Sequence, residues 1–88
     1  MRMYGYVKEP FKTNQRDTIY KIMIHSTKKC GTMVYLYTSI DATGCSFDHY
    51  YPDLESALED WQEEIDERGW ILLEDPLPDC RHDSFLPI

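Results

Sequence analysis

The first half of the chain alternates apolar and polar side chains, the pattern of half-buried β-strands. Pro10 should end the first strand, because proline has no N–H for a sheet ladder. Gly31 lies in the polar stretch between the second and third apolar segments, where it can supply the positive φ of a tight hairpin turn. The alternation therefore predicts four strands, at residues 2–8, 17–25, 33–40 and 45–51.

After Pro52 the apolar spacing changes from two residues to that of a helix. Leu54, Ala57, Leu58, Trp61 and Ile65 form one apolar stripe, which predicts an amphipathic helix over about 53–68. Asp53 is a favourable N-cap, and Gly69 suits the left-handed residue that ends a helix. The apolar run 70–73 then predicts a short buried strand, and Pro76 and Pro78 exclude regular structure after it.

A single helix can bury its apolar stripe only against a sheet. We therefore expect an α+β fold with two layers: an antiparallel sheet of four or five strands, the helix packed on one face, and an ordered Pro-rich C-terminal tail. With 88 residues, the chain should form one domain over 1–88.

The composition indicates a protein that stays inside the cell. No apolar run approaches the length of a membrane span, and the first residues lack the apolar core of a signal peptide. The chain has three cysteines, an odd number that fits a reducing compartment better than a disulfide framework. We therefore expect a cytoplasmic location.

The net charge of −7 is distributed unevenly along the chain. Residues 1–30 carry seven Lys and Arg against two acids, whereas residues 31–88 carry two Arg against fourteen acids. Such a chain repels nucleic acid overall, but its two halves can attract a second copy or a basic partner.

The predicted helix carries eight acids before its first base, Arg68. Several are like-charge pairs four residues apart, each of which costs a helix about 0.2–0.5 kcal/mol. This face is either a solvated surface that keeps the chain in solution or a docking surface for a basic partner, including a second copy. Divalent-cation binding is the weaker alternative, because carboxylates on one straight helix cannot wrap an ion.

The stretch DPLPDCRHD, residues 75–83, admits four interpretations. Cys80 and His82 could contribute two zinc ligands, with Cys45 and His49 as the others. They could instead form a catalytic thiol–imidazole pair, with Asp83 orienting the imidazole. The favoured interpretation is a stiff strap fixed to the domain by apolar contacts and by hydrogen bonds from His82 and Asp83. A tail that binds a partner through Phe85 is the fourth.

The same stretch resembles the C-terminal end of a family of small uncharacterised bacterial proteins. Its motif reads Asp-Pro-Leu-Pro-x-Cys-x-His-Asp, and the matching positions here are Asp75, Pro76, Leu77, Pro78, Cys80, His82 and Asp83, with Pro87 a few residues on. The acidic helix followed by Gly-Trp-Ile at 69–71 is also similar, whereas Asp79 stands where the family has Gly. The resemblance implies a compact bacterial cytoplasmic protein and implies no activity.

Three functions remain open from the sequence. The first is a non-enzymatic protein–protein interaction module that forms a homodimer through a sheet edge or the acidic helix. The second is an acidic inhibitor or immunity-type protein that neutralises a basic partner such as a nuclease, and the third is a metal or thiol site at Cys80 and His82. We assign no catalytic residue, metal ligand or cofactor, and expect no membrane partner. The candidate partner-binding residues are Glu59, Glu63, Glu64, Asp66, Glu67, Cys80, His82, Asp83 and Phe85.

Overall fold

The computed structural model describes residues 1–13, 16–76 and 82–85. Over these residues the chain forms one antiparallel sheet of five strands, a short helix and a 3₁₀ turn, which confirms the α+β class. The sheet order is β4-β3-β2-β1-β5. The strands are β1 (Arg2–Lys12), β2 (Thr18–Thr27), β3 (Gly31–Tyr37), β4 (Phe47–Tyr51) and β5 (Ile71–Leu73); the helix is α1 (Leu54–Trp61), followed by the 3₁₀ turn Gln62–Glu64.

Side chains alternate across the sheet and build a separate apolar cluster on each face. We call the first the helix face, because Ala57 of α1 is fully buried against its cluster. We call the second the tail face, because Phe85 packs against its cluster. The helix-face cluster contains Met3, Val7, Ile19, Ile22, Ile24, Val34, Leu36, Ala57 and Ile65, and the tail-face cluster contains Met23, Tyr35 and Tyr37.

The prediction that Pro10 ends the first strand is wrong, because β1 continues to Lys12. Tyr6 pairs with Lys21, and the next paired residue of β1 is Phe11, opposite Ile19. The intervening residues of β1 therefore leave the ladder with β2 in an irregular bulge. Pro10 lies within that bulge, where its missing N–H removes no hydrogen bond between the two strands.

The hairpin between β2 and β3 is confirmed, although its limits differ from the prediction. Gly31 has a φ of 78°, as expected of a turn glycine, and it already begins β3. The strand ends at Tyr37 rather than at residue 40. The following strand begins at Phe47, so Cys45 precedes the ladder instead of belonging to it.

The helix ends earlier than the predicted 53–68. Asp53 is its N-cap, as expected, and accepts a hydrogen bond from the Ser56 N–H at 2.8 Å. Ile65, however, is extended and forms a β-bridge with Val7, while the Asp66 N–H donates to the Tyr6 carbonyl at 2.8 Å. Residues of the predicted last helical turns thus pair with the backbone of β1 instead of continuing the helix. Acidic residues in those turns would oppose the helix dipole.

The strand at 70–73 was predicted to be buried, which is wrong for its centre. β5 pairs only with β1 and forms an edge of the sheet, and Leu72 is 74% exposed. Leu73, by contrast, packs against the tail-face cluster. An apolar composition therefore did not guarantee burial, because no strand in the described part of the chain adjoins the outer side of β5.

No helix in the described part of the chain is long and apolar enough to cross a bilayer.

Candidate functional site

Three of the predicted tail residues, His82, Asp83 and Phe85, lie on the tail face of the sheet. We call residues 82–85 the strap. Cys80 lies outside the described residues, as do Pro78 and Leu77. Each described residue of the strap makes a backbone or side-chain contact with the sheet or with the loop before β4. One buried cation donates three hydrogen bonds to backbone carbonyls, two of them in the strap.

That cation is Arg2, whose side chain is fully buried. Its Nε donates to the Glu74 carbonyl at 2.7 Å, and its Nη1 donates to the carbonyls of His82 and Ser84 at 3.1 and 2.6 Å. Within the described residues it forms no ion pair with a carboxylate, and its Nη2 has no hydrogen-bond partner. Backbone carbonyls are therefore the groups that solvate this charge, and they all belong to the chain after β5.

Asp83 joins the strap to the loop before β4. The carboxylate, in a residue only 4% exposed, accepts a hydrogen bond from the Cys45 N–H at 2.8 Å. The Asp83 carbonyl accepts a hydrogen bond from the hydroxyl of Tyr37, whose pKa is raised by burial and by the nearby Asp83 charge. These bonds satisfy backbone groups in a segment that has no regular structure.

Phe85 lies beneath a second buried cation. The Lys21 ammonium is 3.7 Å from the centre of the Phe85 ring and 5.0 Å from that of Tyr37. It donates to the carbonyls of Ile40 and Ala42 at 2.9 and 3.0 Å, and burial lowers its pKa. The ring thus contributes packing and cation–π attraction within the chain itself.

His82 meets His25, a pairing that sequence analysis did not predict. The two rings are edge to face, with centres 4.7 Å apart. His82 is exposed, whereas His25 is buried. Desolvation, followed by His82 and the N-terminal ammonium, lowers the pKa of His25 to about 4. The one indication of this contact in the sequence was that His25 and Lys21 fall on the same face of β2, where polar side chains are unusual beside apolar ones.

Two of the four proposed zinc ligands, Cys45 and His49, do not come together, and Cys80 lies outside the described residues. Cys45 packs against the tail-face cluster, whereas His49 approaches Trp61 on the helix face, with ring centres 6.2 Å apart. The expectation that they share a face is wrong because Cys45 precedes β4. Residues 1–13, 16–76 and 82–85 contain no group of three metal-ligating side chains. A metal or thiol site at Cys80 and His82 stays a prediction.

The predicted acidic surface remains largely unpaired. Glu59, Glu63 and Glu67 are exposed and Glu64 is partly exposed; none of them forms an ion pair within the described residues. Asp66 differs, because its carboxylate binds the Arg68 guanidinium at 2.6 Å and accepts the Arg68 N–H at 3.0 Å. Asp66 therefore orders the turn after the 3₁₀ segment.

Comparison of the chain with protein-family models, with curated proteins and with solved structures found no match. Proposals about its function therefore depend on the geometry described above.

Replacing Arg2 should detach the strap. Arg2→Met keeps an unbranched apolar stem but leaves the carbonyls of Glu74, His82 and Ser84 without their donor, so we expect a loss of about 3 kcal/mol or more in the free energy of unfolding. Urea denaturation would measure this loss. The exposed Lys8→Met is the matched control and should change stability by about 0.5 kcal/mol or less. Equal effects of both substitutions would contradict the role given to Arg2.

Stability should fall as pH decreases from about 6.5 to 4 because of His25. Its pKa is near 6.5 when unfolded and about 4 when folded, so the unfolded state binds more protons in this window. His82, the N-terminal ammonium and Arg2 oppose protonation of His25, whereas Asp75 favours it. We expect a loss of about 2 kcal/mol between pH 7 and pH 5 from this group.

His25→Phe keeps an aromatic ring and should remove that part of the pH dependence. His49→Phe, at an exposed ring on the helix face, is the control and should retain it. Urea denaturation at both pH values would give the free energies of unfolding. A His25→Phe variant as sensitive to pH as the wild type would show that another group is responsible.

Proposed function

We propose that this chain is a non-enzymatic protein–protein interaction module that forms a homodimer, consistent with the small bacterial cytoplasmic family that its C-terminal motif resembles. The observation that carries the proposal is the unpaired acidic surface formed by Glu59, Glu63, Glu64 and Glu67. Within the described residues no cation forms an ion pair with any of these four carboxylates.

A second copy offers two exposed lysines to this acidic surface. Lys28 and Lys29 lie in the exposed turn between β2 and β3, and neither forms an ion pair within the described residues. Arg2 and Lys21 are buried, so they do not contribute to this surface. In the charge-paired dimer, the turn of one copy contacts the acidic surface of the other, and the contact weakens as salt screens it.

The edge strand β5 provides an alternative dimer contact. It is short and entirely apolar, and Leu72 is 74% exposed. Two copies of an antiparallel edge can pair around a two-fold axis, which makes the contact self-complementary. This edge-paired dimer buries Leu72 and should depend little on salt.

Sedimentation equilibrium of the full chain at micromolar concentrations distinguishes these arrangements. We expect a dimer. Reversing two charges with Glu63→Lys and Glu67→Lys should weaken the charge-paired dimer, whereas Leu72→Lys should weaken the edge-paired dimer. Glu9→Lys, an exposed acid on β1 outside both surfaces, is the control. A monomer at every concentration and salt level would contradict the homodimer.

The second candidate is an acidic inhibitor or immunity-type protein that neutralises a basic partner. The same unpaired carboxylates favour it, because complementary charge accelerates association with a basic surface. This function needs no second copy, so it survives if the chain is monomeric.

Affinity capture from the native host tests that candidate. The immobilised chain should retain a basic protein that elutes as salt rises, and the Glu63→Lys, Glu67→Lys variant should lose it. Leu72→Lys, which leaves the acidic surface intact, should still capture the same protein. Capture that is equal for the wild type and the charge-reversed variant would show that the acidic surface is not the contact.

A further inference from the structure

The hydrogen bonds at the start of β1 decide which backbone groups are free at the outer edge of β5. The Met1 N-terminus donates to the Ser26 carbonyl at 3.1 Å, and the Ser26 N–H donates to the Met1 carbonyl at 2.9 Å. Successive residues of an antiparallel strand point their backbone groups to opposite sides. Because Met1 bonds to β2, the odd residues at the start of β1 bond to β2 and the even residues face β5.

A second hydrogen bond farther along β1 agrees with this assignment. The Tyr6 carbonyl accepts the Asp66 N–H at 2.8 Å, and Asp66 follows Ile65, which bridges to Val7. Tyr6 is opposite Lys21 in the register with β2, yet its carbonyl bonds to a residue outside that strand. The even residues of β1 as far as Tyr6 therefore direct their backbone groups away from β2.

This alternation leaves one residue of β5 free at the edge. Leu73 is opposite Arg2 and Ile71 is opposite Tyr4, so these two pairs carry the hydrogen bonds between β1 and β5. Leu72, between them, turns its N–H and C=O away from β1. No strand of the described chain adjoins that side, and the Leu72 side chain is 74% exposed. One residue thus presents a backbone donor, a backbone acceptor and an apolar side chain at the same edge.

The Leu72 side chain belongs to the helix face, because it is opposite Met3 of the helix-face cluster. A strand added outside β5 would place the side chain opposite Leu72 on the same face, where the two can pack. The other edge of the sheet, β4, contains the exposed Asp48, and a charged side chain is one way in which natural sheets block edge pairing. The three residues of β5 carry no charge.

The segments on either side of β5 are acidic. Glu67 precedes the strand and Glu74 follows it; both are exposed, and neither forms an ion pair within the described residues. Arg68 is bound to Asp66, and Asp75 is bound to the N-terminal ammonium at 3.1 Å. Pairing of two copies along β5 would bring these acids together, whereas a strand with basic ends would meet opposite charges.

We propose that β5 binds an extended basic segment of a partner protein, which joins the sheet as an antiparallel sixth strand. The residue opposite Leu72 exchanges two backbone hydrogen bonds with it, and an apolar side chain at that position packs on Leu72. Lys or Arg residues on either side pair with Glu67 and Glu74. The inference rests on the second candidate function, a basic partner, whose acidic surface reaches this edge through Glu67. It assigns β5 to that partner, so the homodimer keeps its charge-paired contact.

A synthetic peptide, acetyl-Lys-Lys-Val-Leu-Val-Lys-Lys-amide, tests the contact. It is titrated into the ¹⁵N-labelled full chain and followed by two-dimensional NMR. We expect the Leu72 amide signal to move downfield and its hydrogen exchange to slow, because the amide gains an acceptor. The amides of Ile71 and Leu73 already donate to β1 and are the internal controls. The same peptide with an N-methylated leucine lacks the matching donor and should bind at least about fivefold more weakly.

A second pair of measurements tests the charges. Replacing every Lys of the peptide with Glu should abolish binding, and Glu74→Lys in the chain should weaken binding of the basic peptide about threefold or more. Glu9→Lys, at an exposed acid on β1, is the matched control and should leave the affinity unchanged.

Three outcomes would overturn the proposal. The first is a Leu72 amide that stays unprotected at millimolar peptide. The second is protection of that amide as the free chain is concentrated without peptide, which would show that a second copy fills the edge. The third is binding that Glu63→Lys abolishes but that survives both Glu74→Lys and N-methylation of the peptide. That result would confine the basic partner to the acidic surface and leave the second candidate function intact.

Discussion

The structure depends on the buried guanidinium of Arg2. A charge taken out of water must be solvated by the chain, and here the carbonyls of Glu74, His82 and Ser84 perform that role. The first strand and the last described residues are thereby joined across almost the whole sequence. Because a guanidinium presents several donors in a fixed plane, one side chain can organise carbonyls from three residues at once.

This constraint explains why the strap occupies the tail face. Asp83 and Tyr37 extend the same network of hydrogen bonds, and Lys21 adds a second buried cation above Phe85. Two of the seven Lys and Arg residues among the first thirty, Arg2 and Lys21, are thus buried and stabilise the fold. The surface is correspondingly less basic than the sequence indicates.

The helix shows how tertiary pairing overrides local periodicity. Leu54, Ala57, Leu58 and Trp61 follow the helical spacing and lie on α1, but Ile65, the next position of the same stripe, bridges to Val7. The apolar stripe correctly predicted that the Ile65 side chain is buried, but it wrongly predicted a helical backbone at that residue. Backbone groups of the β1 bulge needed partners, and the acidic end of the helix, unfavourable for the dipole, was the part that supplied them.

The sequence by itself determined the α+β class, the order of the strands along the chain, the Asp53 cap and the Gly31 turn, because each follows from local periodicity or from one residue's conformational range. It also identified the acidic residues after Pro52, because they lie close together along the chain. Only the tertiary structure decided the sheet order, the edge position of β5, the burial of Arg2 and the contact between His25 and His82. Those features join residues far apart in the chain, and their partners are backbone carbonyls and ring edges that leave no pattern in the sequence.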